Sequence, residues 1–132
     1  MGKISNSAHS AGGKVIGIIP EFLATKEIVN FETSKTIIVK NMAERKKKMF
    51  ESGDAFLIMP GGSGTIEEAT EIISWSLLGL HNKPIIIFNF QNYWNSMIKM
   101  YNDAKENNFG NKNLQNICEN VKTFKEFSKL FK

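Results

Sequence analysis

The stretch AFLIMPGGSGTIEEATEIISW, Ala55 to Trp75, constrains the fold more than any other part of the chain. A continuous apolar run stops at Pro60, glycines follow at 61, 62 and 64, and an acidic segment begins at Thr65. A short, uniformly apolar run fits a strand buried on both faces. From Thr65 to Leu78 the positions Ile66, Ala69, Ile73, Leu77 and Leu80 recur at helical spacing, with Ile72 and Trp75 widening the apolar face. Strand, glycine loop and helix in that order are the repeating unit of a parallel sheet, whose neighbouring strands need a crossover.

The rest of the chain reads the same way. Residues 2 to 11 predict a helix stopped by Gly12-Gly13, and KVIGIIP a buried strand ending at Pro20. EFLATKEIVNFETSK is expected to be irregular, and TIIVK (36 to 40) is a second strand. Asn41 caps a helix running to about Ser52, with Glu44 three residues later completing a capping box. The segment from Gly79 to Pro84 ends the helix that follows the glycine loop. PIIIFNF is a fourth strand, YWNSMIKMYNDAKENN a further helix and LQNIC an edge strand, and Thr123 with Glu126 opens a C-terminal helix through another capping box. Alternating strands and helices, with each strand apolar throughout, predict an α/β fold with a parallel sheet covered on both faces. No repeat or low-complexity linker divides residues 1 to 132, which are expected to form one domain.

Composition removes several function classes. The longest apolar run is far short of the roughly 20 residues that a bilayer span needs, and MGKISNSAHSAGGKV lacks the apolar middle of a signal peptide, so a cytoplasmic protein without membrane partners is expected. Cys118 is the single cysteine, which excludes an internal disulfide and fits an ordinary core residue. His9 and His81 have no ligand-like company, so no metal is expected, and His81 reads as a residue at a helix C-terminus. The net charge of +4 is a small excess. Its one dense run, Arg45-Lys46-Lys47-Lys48, lacks interleaved aromatics and fits a solvated helix face better than a nucleic-acid surface.

The chemistry concentrates at the glycine loop. Ligands of open α/β sheets bind outside the carboxyl ends of strands, and a helix N-terminus there presents free N–H groups and a partial positive charge. Glycines let the backbone approach an anion, so a nucleotide phosphate is the natural ligand. Two familiar motifs fail. The phosphate loop of nucleotide triphosphatases needs Lys and then Ser or Thr after its last glycine, where Thr65-Ile66 stands, and a dinucleotide fingerprint needs glycine at Glu67. With Thr65 as N-cap, Glu68 would take the third helical position, where a structural capping box competes with a catalytic role. Glu67 lies roughly 100° away around such a helix, so the two carboxylates do not share one task. Arg45 falls near the positive end of its own helix, where a cation is mildly disfavoured; a salt bridge, plain exposure and a functional role all fit.

MAERKKKM (Met42 to Met49) followed by PGGSGTIEE (Pro60 to Glu68) resembles the paired M-x-x-R-K-x-x-M and P-G-G-x-G-T-x-x-E motifs of the LOG, or Lonely Guy, family, long misannotated as lysine decarboxylases. GGKVIGIIP, LGLHNKP and YWNSMI extend the likeness over nearly the whole chain. The resemblance implies a Rossmann-like fold, a homodimer and no cofactor. It implies hydrolysis of the N-glycosidic bond of a nucleoside 5'-monophosphate, a cytokinin riboside monophosphate or AMP, to free base and ribose 5-phosphate. By motif position Arg45 and Glu68 correspond to the catalytic pair, and Lys46 with Gly61, Gly62, Ser63, Gly64, Thr65, Ile66 and Glu67 to the nucleotide-binding segment. Glu27 and Ser74 stand where the family often has a substrate-contacting glutamate and a hydroxyl. A carboxylate at Glu68 would stabilise positive charge at the anomeric carbon and orient water. Arg45, a permanent cation, would clamp phosphate or position ribose.

The resemblance also implies that the family's first βαβ unit, with its own glycine-rich loop, is absent from this chain. VIGII pairing beside TIIV is then the expected way to close the sheet, since Pro20 to Lys35 supplies a parallel crossover of about a dozen residues. A nucleotide-binding protein without catalysis and an inactive shortened relative are the alternative readings.

Overall fold

The computed structural model describes residues 2–27, 34–110 and 116–131. It is α/β with parallel strands flanked by helices, in two compact units, Met1–Ser52 and Gly53–Lys132.

The first unit begins with α1 (Gly2–Ser10), which stops as its sequence predicts. Gly12 turns left-handed at φ +82°, and the N–H groups of Gly12 and Gly13 close onto the carbonyls of His9 and Ala8. Strand β1 (Ile16–Pro20) pairs in parallel with β2 (Lys35–Val39), Ile18 opposite Ile37, which is the pairing expected for these two segments. Between them α2 (Glu21–Glu27) occupies a stretch expected to be irregular. Seven residues are too few for helical periodicity to register, and Glu21 in the first turn complements the helix dipole. Helix α3 (Met42–Ser52) starts at the predicted capping box: Asn41 Oδ1 accepts from the Glu44 N–H at 2.9 Å, and Glu44 Oε2 accepts from the Lys40 N–H at 2.9 Å. This two-stranded sheet is not covered on both faces as predicted, because Ile16 and Ile38 stay 52% and 45% exposed.

The second unit carries a three-stranded parallel sheet in the order β3 (Phe56–Ile58), β4 (Ile85–Phe88), β5 (Cys118–Val121). The strands therefore lie in two sheets, where apolar runs alone predict one; periodicity marks a strand but does not name its partner. Central β4 is buried along Ile85, Ile86 and Ile87, as a doubly covered strand requires. Strand β5 does lie at the edge among the described residues, but further along than LQNIC. Cys118 and Val121 are buried with Glu119 and Asn120 exposed between them, a pattern without alternation, and residues 111–115 lie outside the described part.

Helix α4 (Ser63–Leu77) packs Ala69 and Ile73 on this sheet, and Ile72 joins at the margin. Its predicted stripe is only partly buried, since Ile66, Leu77 and Leu80 are 43%, 36% and 66% exposed. At its end Gly79, φ +74°, and Leu80 return their N–H groups to Ser76 and Trp75. His81 then folds back under the helix. Its Nδ1 accepts from the Lys83 N–H, so Nε2 is the protonated nitrogen and donates to the Ile72 carbonyl at 2.9 Å. That is the helix-end role its sequence position suggests. Helix α5 (Asn95–Glu106) begins two residues after its predicted start, because a short 3-10 turn at Phe90–Asn92 intervenes. Helix α6 (Phe124–Lys129) has the predicted box, with Thr123 accepting from the Glu126 N–H and Glu126 accepting from the Lys122 N–H. Burial pushes the Cys118 thiol up to about 12, with the Glu119 charge adding to it, so this cysteine is a core residue rather than a nucleophile. Among the described residues no helix is long and apolar enough to cross a membrane.

Candidate functional site

The glycine loop leaves the carboxyl end of β3 and turns at once into α4. The helix does not start where its sequence predicts. Gly62, not Thr65, is the N-cap, and no side chain caps it. The Ile66 N–H is the first to bond back along the helix, to the Gly62 carbonyl at 3.1 Å. The N–H groups of Ser63, Gly64 and Thr65 precede that bond, at the positive end of the helix dipole.

This early start changes the meaning of Glu68. A capping box would have put it in the first turn; instead Thr65 is the third helical residue and Glu68 the sixth. Two boxes do close in this molecule, at Asn41 with Glu44 and at Thr123 with Glu126. The third does not form. Side chains on a helix lean toward its N-terminus, so Glu68 reaches back over Gly64 and Thr65, toward the loop. It is half-buried, whereas Glu67 beside it is exposed, as their separation around the helix requires.

The three glycines are not equivalent. Left-handed backbone occurs at Gly12 and Gly79 but at none of Gly61, Gly62 and Gly64, so the loop does not owe its glycines to unusual dihedral angles. At Gly61 a Cβ would run into the Thr65 side chain, with the Thr65 Cβ only 2.9 Å away. Packing explains that glycine. Around Gly62 and Gly64 a Cβ would meet nothing within 4 Å. Glycine inside a helix costs roughly 0.5–1 kcal/mol relative to alanine, and among the described residues no close packing calls for it at Gly64. The open space beside these main-chain amides is what close approach of an anion needs.

Strand β4 runs parallel to β3, so its carboxyl end emerges beside the loop. There Asn89, fully buried, fixes the turn: its Oδ1 accepts from the Trp94 N–H at 2.7 Å and its Nδ2 donates to Asn95 Oδ1 at 2.9 Å. The turn delivers Tyr93, whose hydroxyl donates to the Gly61 carbonyl at 2.8 Å. Sequence reading placed Tyr93 at a helix start and missed this contact; the nearest signal was the FNFQNYW run at the end of the fourth strand, where Asn and Gln are interspersed with aromatic residues.

The remaining predicted residues are carried by other segments of the chain. Ser74 is eleven residues along α4 from Ser63, about 16 Å at the helical rise, and so stands away from the start of the helix. Arg45 and Lys46 belong to α3 in the first unit, where Arg45 Nε donates to the Ile18 carbonyl at 3.1 Å. Their helix follows β2, and the Gly61 loop follows β3 of the other sheet. Glu27 ends α2, and its side chain lies outside the described residues. Among the described residues no three His, Cys, Asp or Glu side chains gather as a metal site.

Comparison with known proteins agrees with the motifs. The family model described as "possible lysine decarboxylase" matches residues 1–131. The chain is 37% identical over 129 residues to the cytokinin riboside 5'-monophosphate phosphoribohydrolase LOG4 of Arabidopsis thaliana, covering 98% of this chain and 60% of the relative. It is 41% identical over 109 residues to LOG5 of the same plant, covering 83% and 48%. It is 38% identical over 117 residues to the probable phosphoribohydrolase LOG4 of Oryza sativa subsp. japonica, covering 89% and 51%. The chain thus spans about half to three-fifths of the length of these curated relatives.

Proposed function

This chain belongs to the LOG family, and from that membership we propose that it serves hydrolysis of the N-glycosidic bond of a nucleoside 5'-monophosphate, releasing free base and ribose 5-phosphate. Cytokinin riboside monophosphates and AMP are the proposed substrates, and the cytoplasm the proposed compartment. The observation that carries the reading is the uncapped start of α4, where Gly62 and Gly64 leave open space over main-chain N–H groups. These groups take the 5'-phosphate. Glu68 acts on the ribose: its carboxylate offsets the positive charge that grows on the anomeric carbon as the base departs, and orients the attacking water. Motif position, rather than geometry, assigns Arg45 and Lys46 to the anionic side of the substrate, and Glu27 and Ser74 to substrate contact.

The test is direct. Purified protein incubated with isopentenyladenosine 5'-monophosphate or AMP should release free base and ribose 5-phosphate in equal amounts, followed by chromatography. Release of neither product from either nucleotide would reject the proposal.

The assembly proposed is a homodimer. Leu77, Leu78 and Leu80, at 36%, 74% and 66% exposed, form an apolar group at the end of α4 that a second copy would cover. Light scattering at micromolar concentration should give twice the chain mass; a monomer mass would end this part of the reading.

A further inference from the structure

The peptide between Gly61 and Gly62 is the least constrained link of the loop, since neither residue carries a side chain. Two groups hold it. The Thr65 side chain fills the space on one side of Gly61, and the Tyr93 hydroxyl binds its carbonyl at 2.8 Å. In a trans peptide the C=O and the following N–H point in opposite directions. With the Gly61 carbonyl held by Tyr93, the Gly62 N–H is therefore turned to the other side of the loop.

The segment that brings Tyr93 here is itself expensive. Gln91 and Asn92 sit at φ +51° and +61°, left-handed conformations that cost non-glycine residues of order 1 kcal/mol or more each. Such a turn persists only where its surroundings over-determine it. Asn89 does so with four bonds: two through its side chain to Trp94 and Asn95, one from its N–H to the Val121 carbonyl at 2.7 Å, and one to its carbonyl from the Asn92 N–H at 3.1 Å. The Tyr93 ring then stands edge-on to Trp94, 4.9 Å between centroids at 89°, and Trp94 is only 3% exposed. A rigid arm thus reaches from the core through a strained turn to one glycine carbonyl.

We propose that Tyr93 is a positioning residue of the phosphate cradle: by clamping the Gly61–Gly62 peptide it aims the Gly62 N–H at the substrate's phosphate and leaves recognition of the base untouched. This rests on the reading that the loop holds the 5'-phosphate. Tyr93→Phe keeps the ring and its packing on Trp94 and removes only the hydroxyl.

Expected for Tyr93→Phe in the full chain is a rise of about three- to tenfold in KM for AMP and in the inhibition constant of inorganic phosphate, the loss associated with one hydrogen bond. The inhibition constant of adenine and kcat should change less than about twofold. In the ligand-free protein, the NMR order parameter of the Gly62 N–H should fall while those of the β4 strand stay unchanged. An unaltered order parameter at Gly62, or equal weakening of phosphate and adenine, would overturn the clamp. If wild-type protein bound neither AMP nor phosphate, the cradle itself would fall, and with it the proposed aim of the N–H; the order parameters would then show separately whether Tyr93 orders the peptide.

Discussion

Glu68→Gln should reduce kcat for AMP or isopentenyladenosine monophosphate by about 10² to 10⁴, the range for losing a positioned general base or a charge that stabilises the transition state. KM should stay within about threefold. The replacement keeps size and helix propensity and removes only the negative charge, so packing beside buried Ala69 survives. The geometry gives the reason for a large effect on turnover and a small one on binding. The cradle N–H groups belong to the first turn of α4 and Glu68 to the second, so one ligand can rest its phosphate on the first and bring its ribose to the second. The charge then meets the sugar only as the glycosidic bond breaks, and removing an interaction made only in the transition state lowers kcat and kcat/KM together. Glu67→Gln, one residue away but exposed, should stay within about twofold of wild type, measured in the same assay. Full turnover by Glu68→Gln would remove the carboxylate from the mechanism.

Much of this was readable from the sequence because local physics dominates there. Gly12 and Gly79 stop α1 and α4 as glycines in left-handed positions do, and the boxes at Asn41 and Thr123 announce α3 and α6. The apolar runs gave β1, β2, β3 and β4 to within a few residues, and the glycine loop does stand at a strand-to-helix junction. The misread features depend on neighbours distant in sequence. Whether Thr65 or Gly62 caps α4 was decided in favour of an earlier start, with Thr65 turned onto Gly61, a contact no propensity encodes. Tyr93 escaped notice because its partner is thirty-two residues away and because Gln91 and Asn92 adopt a conformation their identities do not demand. The exposed Ile16, Ile38 and Leu78 follow the same rule: a sequence shows that a residue is apolar, not what covers it.

Gly62→Asp and Gly64→Ala should each make the protein more stable and a poorer ligand for nucleotides. At Gly64 the backbone is helical and a methyl group meets nothing within 4 Å, so alanine should gain about 0.5 kcal/mol, a few degrees in Tm. At Gly62, φ −87° and ψ −155° already suit an N-cap, and an aspartate there would accept from the N–H groups of the first turn and complement the dipole, again worth roughly 0.5–1 kcal/mol. The same changes damage the cradle. The Gly64 methyl would narrow the approach to the amides, weakening AMP about tenfold, and the Gly62 carboxylate would occupy the donors and repel the phosphate, weakening AMP at least about a hundredfold. Gly61→Ala supplies the contrast, because its methyl would collide with Thr65 and should lower stability as well as binding. Calorimetric melting beside AMP titration separates the cases. Were Gly62→Asp and Gly64→Ala to bind AMP as wild type does, the space over these amides would have no ligand to receive, and an uncapped helix start with two glycines that the fold does not need would lose its functional explanation.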